Sequence, residues 1–236
     1  MKIHIYPDYK AMSQKAADLV HLEIGKKPNL LFCVASGGSP AGLYELMHQK
    51  HQKNPEFFNK IRMIKLDEWV GLPAGSEFSS EFDVQHKLLQ KIEVTASRYT
   101  AFDDQTSDPK AECERIQAEL KKSGPIDICI LGIGQNGHIA LNEPNSKLQL
   151  DCHVAALSER TLSSGMIEKV GIPLKEGMTM GLGAIMASKM VILLVTGKGK
   201  KEAFDQLMKR EINPELPASM LWTHPNAYAI VDETSV

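Results

Sequence analysis

Six short apolar runs constrain the fold more than any other feature of this chain: KIHIY (2–6), LLFCVA (30–35), IRMIKL (61–66), IDICIL (126–131), MVILLVT (190–196) and AYAIV (227–231). Each is bounded by charge, glycine or proline, and most lack the polar alternation of a half-exposed strand. Runs of this length and composition are strands buried on both faces. Between them lie segments with helical spacing, at 12–24, 41–49, 80–92, 109–121 and 198–208. Strand alternating with helix predicts an α/β fold, a Rossmann-like, mostly parallel sheet with helices on both faces. The 236 residues suit one such domain over 1–236, and no repeat, low-complexity tract or Pro/Gly/Ser linker divides them.

Lysine and arginine total 27 against 29 acidic residues, a net charge of -2. That balance supplies no global field for nucleic acid or an anionic membrane, so an anionic ligand must be held locally. No secretory leader opens the chain and no run reaches the length of a membrane span, which makes the cytoplasm the expected location. Cys33, Cys113, Cys129 and Cys152 form no CxxC pair, and two of them sit inside apolar runs, so neither disulfides nor a structural zinc are expected.

A parallel sheet binds ligands beyond the carboxyl ends of its strands, which directs attention to four loops. After LLFCVA comes Ser36-Gly37-Gly38-Ser39-Pro40 and then a helical segment. Backbone N–H groups and the helix dipole converge there on an anion. Without the GK[ST] of a nucleotide loop, a sugar phosphate is the expected guest. After IRMIKL come Asp67 and Glu68, adjacent acids that cannot both point the same way, so that one works as a general base and its neighbour is solvated or structural.

After IDICIL the chain reads Gly132-Ile133-Gly134-Gln135-Asn136-Gly137-His138, and then Ile139-Ala140-Leu141-Asn142-Glu143-Pro144. The spacing is GxGxxG, but Pro144 and two asparagines crowd the segment where a dinucleotide fold needs its helix. His138 with Glu143 to orient it is instead a proton shuttle. After MVILLVT, Lys200 lies in a Gly-Lys-Gly-Lys turn leading into a helix, a second phosphate contact. Glycine loop and lysine hold a phosphate, and carboxylate and histidine move protons. Together they describe a sugar-phosphate isomerase or a relative sharing its first steps, with no metal or cofactor required.

These residues resemble a known family. LDEWVGLP (66–73) and GIGQNGHIALNEP (132–144), with SGGSP (36–40) and LVTGKGK (194–200) at the matching places, are similar to the glucosamine-6-phosphate deaminase and isomerase family. The resemblance runs from about Asn29 to the LWTHPNAYAIVDE segment near the end. Within it, Asn136-Gly137-His138, LNEPNSKLQLDCH and INPELPASMLWTHPN look most like galactosamine-6-phosphate isomerases. Related 6-phosphogluconolactonases share the Gly-His turn but lack an Asn-Glu-Pro after it.

The resemblance implies that His138, oriented by Glu143, assists opening of the hexosamine ring. Asp67 then moves a proton from C2 to C1, and the ketose imine loses ammonia. Galactosamine 6-phosphate would give tagatose 6-phosphate, and glucosamine 6-phosphate would give fructose 6-phosphate. Ser36, Gly37, Gly38, Ser39, Gly137 and Lys200 are implied as substrate contacts, and a homo-oligomer is left open.

Three departures from the pattern carry expectations of their own. Asn136 stands where the commoner deaminases have Asp, a neutral amide in place of a carboxylate, which predicts a change of sugar epimer. The Asn-Ser-Arg segment that supplies a phosphate-binding arginine is missing from SERTLSSGM (158–166), leaving Arg160 as its substitute. His153, Ala155 and Ala156 stand in place of the basic residues of an allosteric site, so no activation by an amino-sugar phosphate is expected. A sugar-phosphate-binding regulator on the same scaffold is the reading of another class, and it leaves Asp67 and His138 without work.

Overall fold

The computed structural model describes residues 1–162 and 174–236. Among the described residues the strands are β1 (Lys2–Tyr6), β2 (Leu31–Val34), β3 (Arg62–Lys65), β4 (Asp67–Trp69), β5 (Tyr99–Thr100), β6 (Ile128–Gly132), β7 (His153–Ala156), β8 (Glu176–Thr179), β9 (Met190–Val195) and β10 (Ala227–Asp232). The helices are α1 (Tyr9–Lys26), α2 (Ala41–Lys53), α3 (Ser80–Val84), α4 (Pro109–Ser123), α5 (Glu159–Leu162), α6 (Leu182–Met186) and α7 (Lys201–Met208). All six apolar runs are strands.

Seven strands form one sheet in the order β1-β10-β9-β6-β2-β3-β5, and every neighbouring pair is parallel. Every residue of β2 and β9 is buried, as strands covered on both faces must be. The helices start on recognisable signals. Asp8 caps α1 by accepting from Ala11 N, and Asp108 caps α4, with Pro109 at its first position. Ser79 caps α3 by accepting from Phe82 N.

Two features depart from the sequence reading. The segment 80–92 is not one regular helix, because α3 gives way at Val84 to a wider π-type turn over Gln85–Leu89. Asp67 and Glu68 sit not in a loop but in β4, which pairs antiparallel with β8 in a small sheet ordered β4-β8-β7. That sheet covers a separate apolar cluster of Trp69, Leu72, Leu141, Ala155, Leu157 and Leu174.

Candidate active site

The sheet order reverses between β2 and β6. Beyond β2 lie β3 and β5; beyond β6 lie β9 and β10. Loops leaving the carboxyl ends of β2 and β6 therefore diverge and open a crevice between them. The two loops approach closely, since a β-carbon on Gly132 would stand 3.6 Å from Ser39 Oγ. A cavity of about 220 Å³ lies there, lined by Ser36 to Ser39, Asp67, Trp69, Gln135, Asn136, His138, Arg160, Thr161 and Lys200, among others.

The loop after β2 is held from beneath. The hydroxyl of buried Tyr44 donates to Ala35 O at 2.7 Å and accepts from Ala35 N at 3.1 Å, fixing the strand's end. Gly37 follows with φ of 101°, a conformation open to glycine. Its N–H donates to Asp83 Oδ2 at 2.8 Å, its carbonyl accepts from Lys87 Nζ at 2.9 Å, and Asp83 and Lys87 are themselves ion-paired. The Gly37 amide is thus committed to protein. Among the described residues no acceptor takes the N–H of Gly38 or Ser39, and these remain for an anion. Ser36 Oγ donates to Ser80 Oγ at 3.1 Å.

Lys200 stands just before α7, and its ammonium donates to Ile133 O at 2.6 Å, tying the fourth loop to the third. Burial holds its pKa below the ordinary lysine value. Arg160, on α5, lines the same cavity and donates to Glu202 Oε2 at 2.8 Å. A cation is present where a phosphate arginine was missing, shared with an acid of α7. The last four residues of SERTLSSGM lie outside the described residues.

The pleat of β4 separates the adjacent acids. Glu68 is 0% exposed and structural. One of its oxygens accepts from Trp69 N and Ser80 N; the other accepts from Glu81 N and from Lys65 Nζ at 2.7 Å. Lys65, 1% exposed, also pairs with Glu81 at 2.8 Å. Asp67 turns instead to the cavity. Burial, and then the Glu68 charge, push its carboxyl up to about 7 against the opposing effects of Lys65 and a hydrogen bond from Ser80. A carboxyl at that value is poised as a base near neutrality.

The third loop is a closed turn, with Gly134 N donating to His138 O at 2.9 Å and Gly137 N to Gly134 O at 3.0 Å. No helix follows β6 before β7, so the dinucleotide geometry is not formed. The His138 ring lies over Gly134, where a β-carbon would come within 2.4 Å of it. Behind the ring, Glu143 Oε2 is 3.5 Å from His138 Nδ1. Burial would raise Glu143, but His138, Thr161 and Asn136 outweigh it and bring the carboxyl down to about 2. Asn136 does not bond the imidazole. Its Nδ2 donates to Glu143 Oε2 at 2.7 Å and its Oδ1 accepts from the His138 backbone at 3.3 Å, so its influence on the ring passes through Glu143.

The structure gathers Ser36, Gly37, Gly38, Ser39, Asp67, Asn136, His138, Arg160 and Lys200 around one cavity, with Glu143 behind the histidine. Gly137 is not part of the lining. A side chain there would strike Leu216 Cδ1 at 2.1 Å, and the φ of 84° serves the turn. Sequence reasoning missed Thr161, Asp83 and Lys87, single polar residues in ordinary surroundings with no motif to mark them. Among the described residues no group of three or more His, Cys, Asp and Glu side chains is placed to hold a metal ion, and no helix is long and apolar enough to cross a membrane.

Known proteins resemble this chain along most of its length. The profile of the family described as glucosamine-6-phosphate isomerases/6-phosphogluconolactonase matches residues 8–230. The chain is 33% identical over 225 residues to the Escherichia coli (strain K12) protein named "Putative deaminase AgaI", covering 95% of this chain and 89% of that one. It is 35% identical over 236 residues to the glucosamine-6-phosphate deaminase of Shouchella clausii, covering 98% and 94%. The solved structure of a monomeric glucosamine-6-phosphate deaminase superposes with a TM-score of 0.92 at 33% identity, covering 98% of this chain and 97% of the other.

Proposed function

The chain belongs to the family of glucosamine-6-phosphate isomerases and 6-phosphogluconolactonases, and from that premise we propose that it is a deaminase of hexosamine 6-phosphates, with the galactosamine epimer as its preferred substrate. One observation carries the reading. The crevice brings together Asp67, a carboxyl near neutrality, and His138, backed by an ionised Glu143, beside a glycine loop and Lys200. A lactonase needs a base toward water but gives the half-buried, raised Asp67 nothing to do. A binding protein needs only the loop.

In this reading the substrate phosphate lies against Gly38 and Ser39 N–H, Ser36, Lys200 and Arg160. His138 moves the proton between the ring oxygen and the anomeric hydroxyl, and Glu143 stabilises the imidazolium. Asp67 removes the C2 proton of the open aldehyde and returns it at C1 through an enolamine. Water adds to the resulting ketose imine, and ammonia leaves. The epimer preference is supported by Asn136, which replaces a carboxylate beside Glu143 with an amide donor and so alters the group that opens the ring.

The test is ammonia release from galactosamine 6-phosphate and glucosamine 6-phosphate separately, with Asp67→Asn as the blank. A higher kcat/KM for the first supports the full reading. A preference for glucosamine 6-phosphate keeps the deaminase and removes the epimer. No ammonia from either removes the deaminase, and hydrolysis of 6-phosphogluconolactone is assayed next.

A further inference from the structure

His138 and Glu143 are the expected proton-moving pair, yet their closest approach is 3.5 Å, at the limit of a hydrogen bond. A third group lies nearer to both. Thr161 Oγ1 is 2.5 Å from Glu143 Oε1 and 3.3 Å from His138 Nδ1. We propose that Thr161 is the middle member of a His138–Thr161–Glu143 relay, a positioning residue that fixes the tautomer and orientation of the imidazole for the reaction described above.

The chemistry of a hydroxyl gives the relay a direction. It has one proton to donate and two lone pairs to accept with. Glu143, with its carboxyl brought down to about 2, is acceptor-only over the working range, so the Thr161 proton goes to it. The lone pairs of Thr161 then face Nδ1, which must carry a hydrogen to use them. A neutral imidazole with its proton on Nδ1 has a bare Nε2, the atom left to accept a proton from the sugar.

The remaining contacts keep the hydroxyl in place. Thr161 N donates to Ser158 Oγ at 3.2 Å, Ser158 Oγ donates to Thr161 Oγ1 at 3.1 Å, and Asn136 Nδ2 reaches both Ser158 Oγ at 3.1 Å and Glu143 at 2.7 Å. Thr161 is 6% exposed and lines the cavity, and its rotation is limited by both the short helix α5 and this ring of bonds. Neither the Ser158 nor the Asn136 side chain bonds the imidazole ring, so their positioning reaches it through Thr161, 3.3 Å from Nδ1, and through Glu143, 3.5 Å from it.

The proposal rests on the deaminase reading for its kinetic arm only. Two variants separate the hydroxyl from the shape: Thr161→Val keeps the volume, and Thr161→Ser keeps the hydroxyl. The direct readout is the 15N spectrum of the imidazoles in protein labelled at histidine, with the His138 signals identified by their loss in His138→Gln. The wild type is expected to show His138 protonated on Nδ1, Thr161→Val to lose that preference, and Thr161→Ser to retain it. In turnover, Thr161→Val should lower kcat by roughly 10- to 100-fold with KM little changed, the size expected when a general acid–base group is misoriented, and Thr161→Ser should restore most of it.

A Thr161→Val protein that is folded by circular dichroism and keeps the wild-type tautomer overturns the relay, as does a serine variant no better than valine. If the wild type releases no ammonia from either sugar while the valine variant loses the tautomer, the relay stands and the deaminase reading falls.

Discussion

In the reaction proposed above, Asp67 joins the chemistry and the pH-dependent stability of this molecule in one carboxyl. Its pKa, raised from 3.8 to about 7, means that the native chain binds the proton more tightly than the unfolded chain does. The sign follows from linkage: native stability falls as pH rises through that interval, because ionisation is opposed by the fold. If Asp67 is the base of the proposed reaction it must be ionised to work, so kcat/KM is expected to rise with pH through about 7, and initial rates across the acid range test it. Asp67→Asn keeps the shape of the protonated form. It lowers turnover by about 10² to 10⁴, yet it melts at higher temperature than the wild type in mildly alkaline buffer. That gain disappears on acidification, and melting curves at two pH values decide it.

Gly134 illustrates a different dependence at the same scale. A β-carbon there meets the His138 ring at 2.4 Å, so Gly134→Ala pushes the imidazole from its place over the turn. Turnover drops by about 10² or more, because small misplacements of a reacting group are amplified, while the melting temperature moves far less. His138 and Glu143 could be picked out of the sequence because a glycine-rich turn after a strand has few other uses. Residue chemistry alone did not separate Asp67 from Glu68, since adjacent acids differ only through the pleat that the structure supplies; the family resemblance singled out Asp67. Thr161 bore no mark, since one hydroxyl near Arg160 looks like any other surface residue.

At the scale of the element, β4 and α3 share a buried ionic cluster. Glu68 accepts from the backbone at Ser80 and Glu81, at the start of α3, and Lys65 joins Glu68 to Glu81 with both partners within 2.8 Å. Tyr99, from β5, donates to Glu81 Oε2 at 2.8 Å. Removing the lysine leaves two carboxylates short of their counter-ion. Lys65→Met should therefore cost about 3 to 5 kcal/mol in urea unfolding, whereas Lys65→Met with Glu68→Gln should recover part of the loss. Six of the seven strands of the large sheet were legible as short apolar runs, whereas β5, only Tyr99–Thr100, offered no run to read. β7 and β8, HVAA and EGMT, were not, since neither has strand composition and both are fixed by pairing with each other and with β4. The π-type turn after Val84 was equally hidden, because Gln85 to Leu89 keep ordinary helical spacing.

Across the whole molecule, the crevice between β2 and β6 follows from strand order, in which the chain passes from β2 to β3 and β5 on one side and then to β6 and β9 on the other. The alternation of runs in the sequence announced a parallel sheet but not where it reverses, because that depends on which strands meet in space. Among the described residues β1 lies at the sheet's margin and pairs with β10 alone. Deleting residues 1–6 uncovers the parallel edge of β10, whose Ile230 and Val231 are fully buried in the intact fold. Such an edge is a template for another chain. The shortened protein should unfold at lower urea and scatter more light on concentration than the intact one.

The pairing of β1 with β10 also sets a timetable for synthesis. Lys2 and Tyr228, whose side chains are bonded in the finished sheet, are 226 positions apart in the chain. At about 5 to 20 residues per second, the first strand leaves the ribosome roughly 10 to 45 seconds before β10 exists. In the later part of that interval, once Gly132 has been added, the centre of the sheet can assemble from β2, β3, β5 and β6 while β1 waits outside it. The crevice between β2 and β6 can thus take shape on the ribosome before the margin of the sheet is closed.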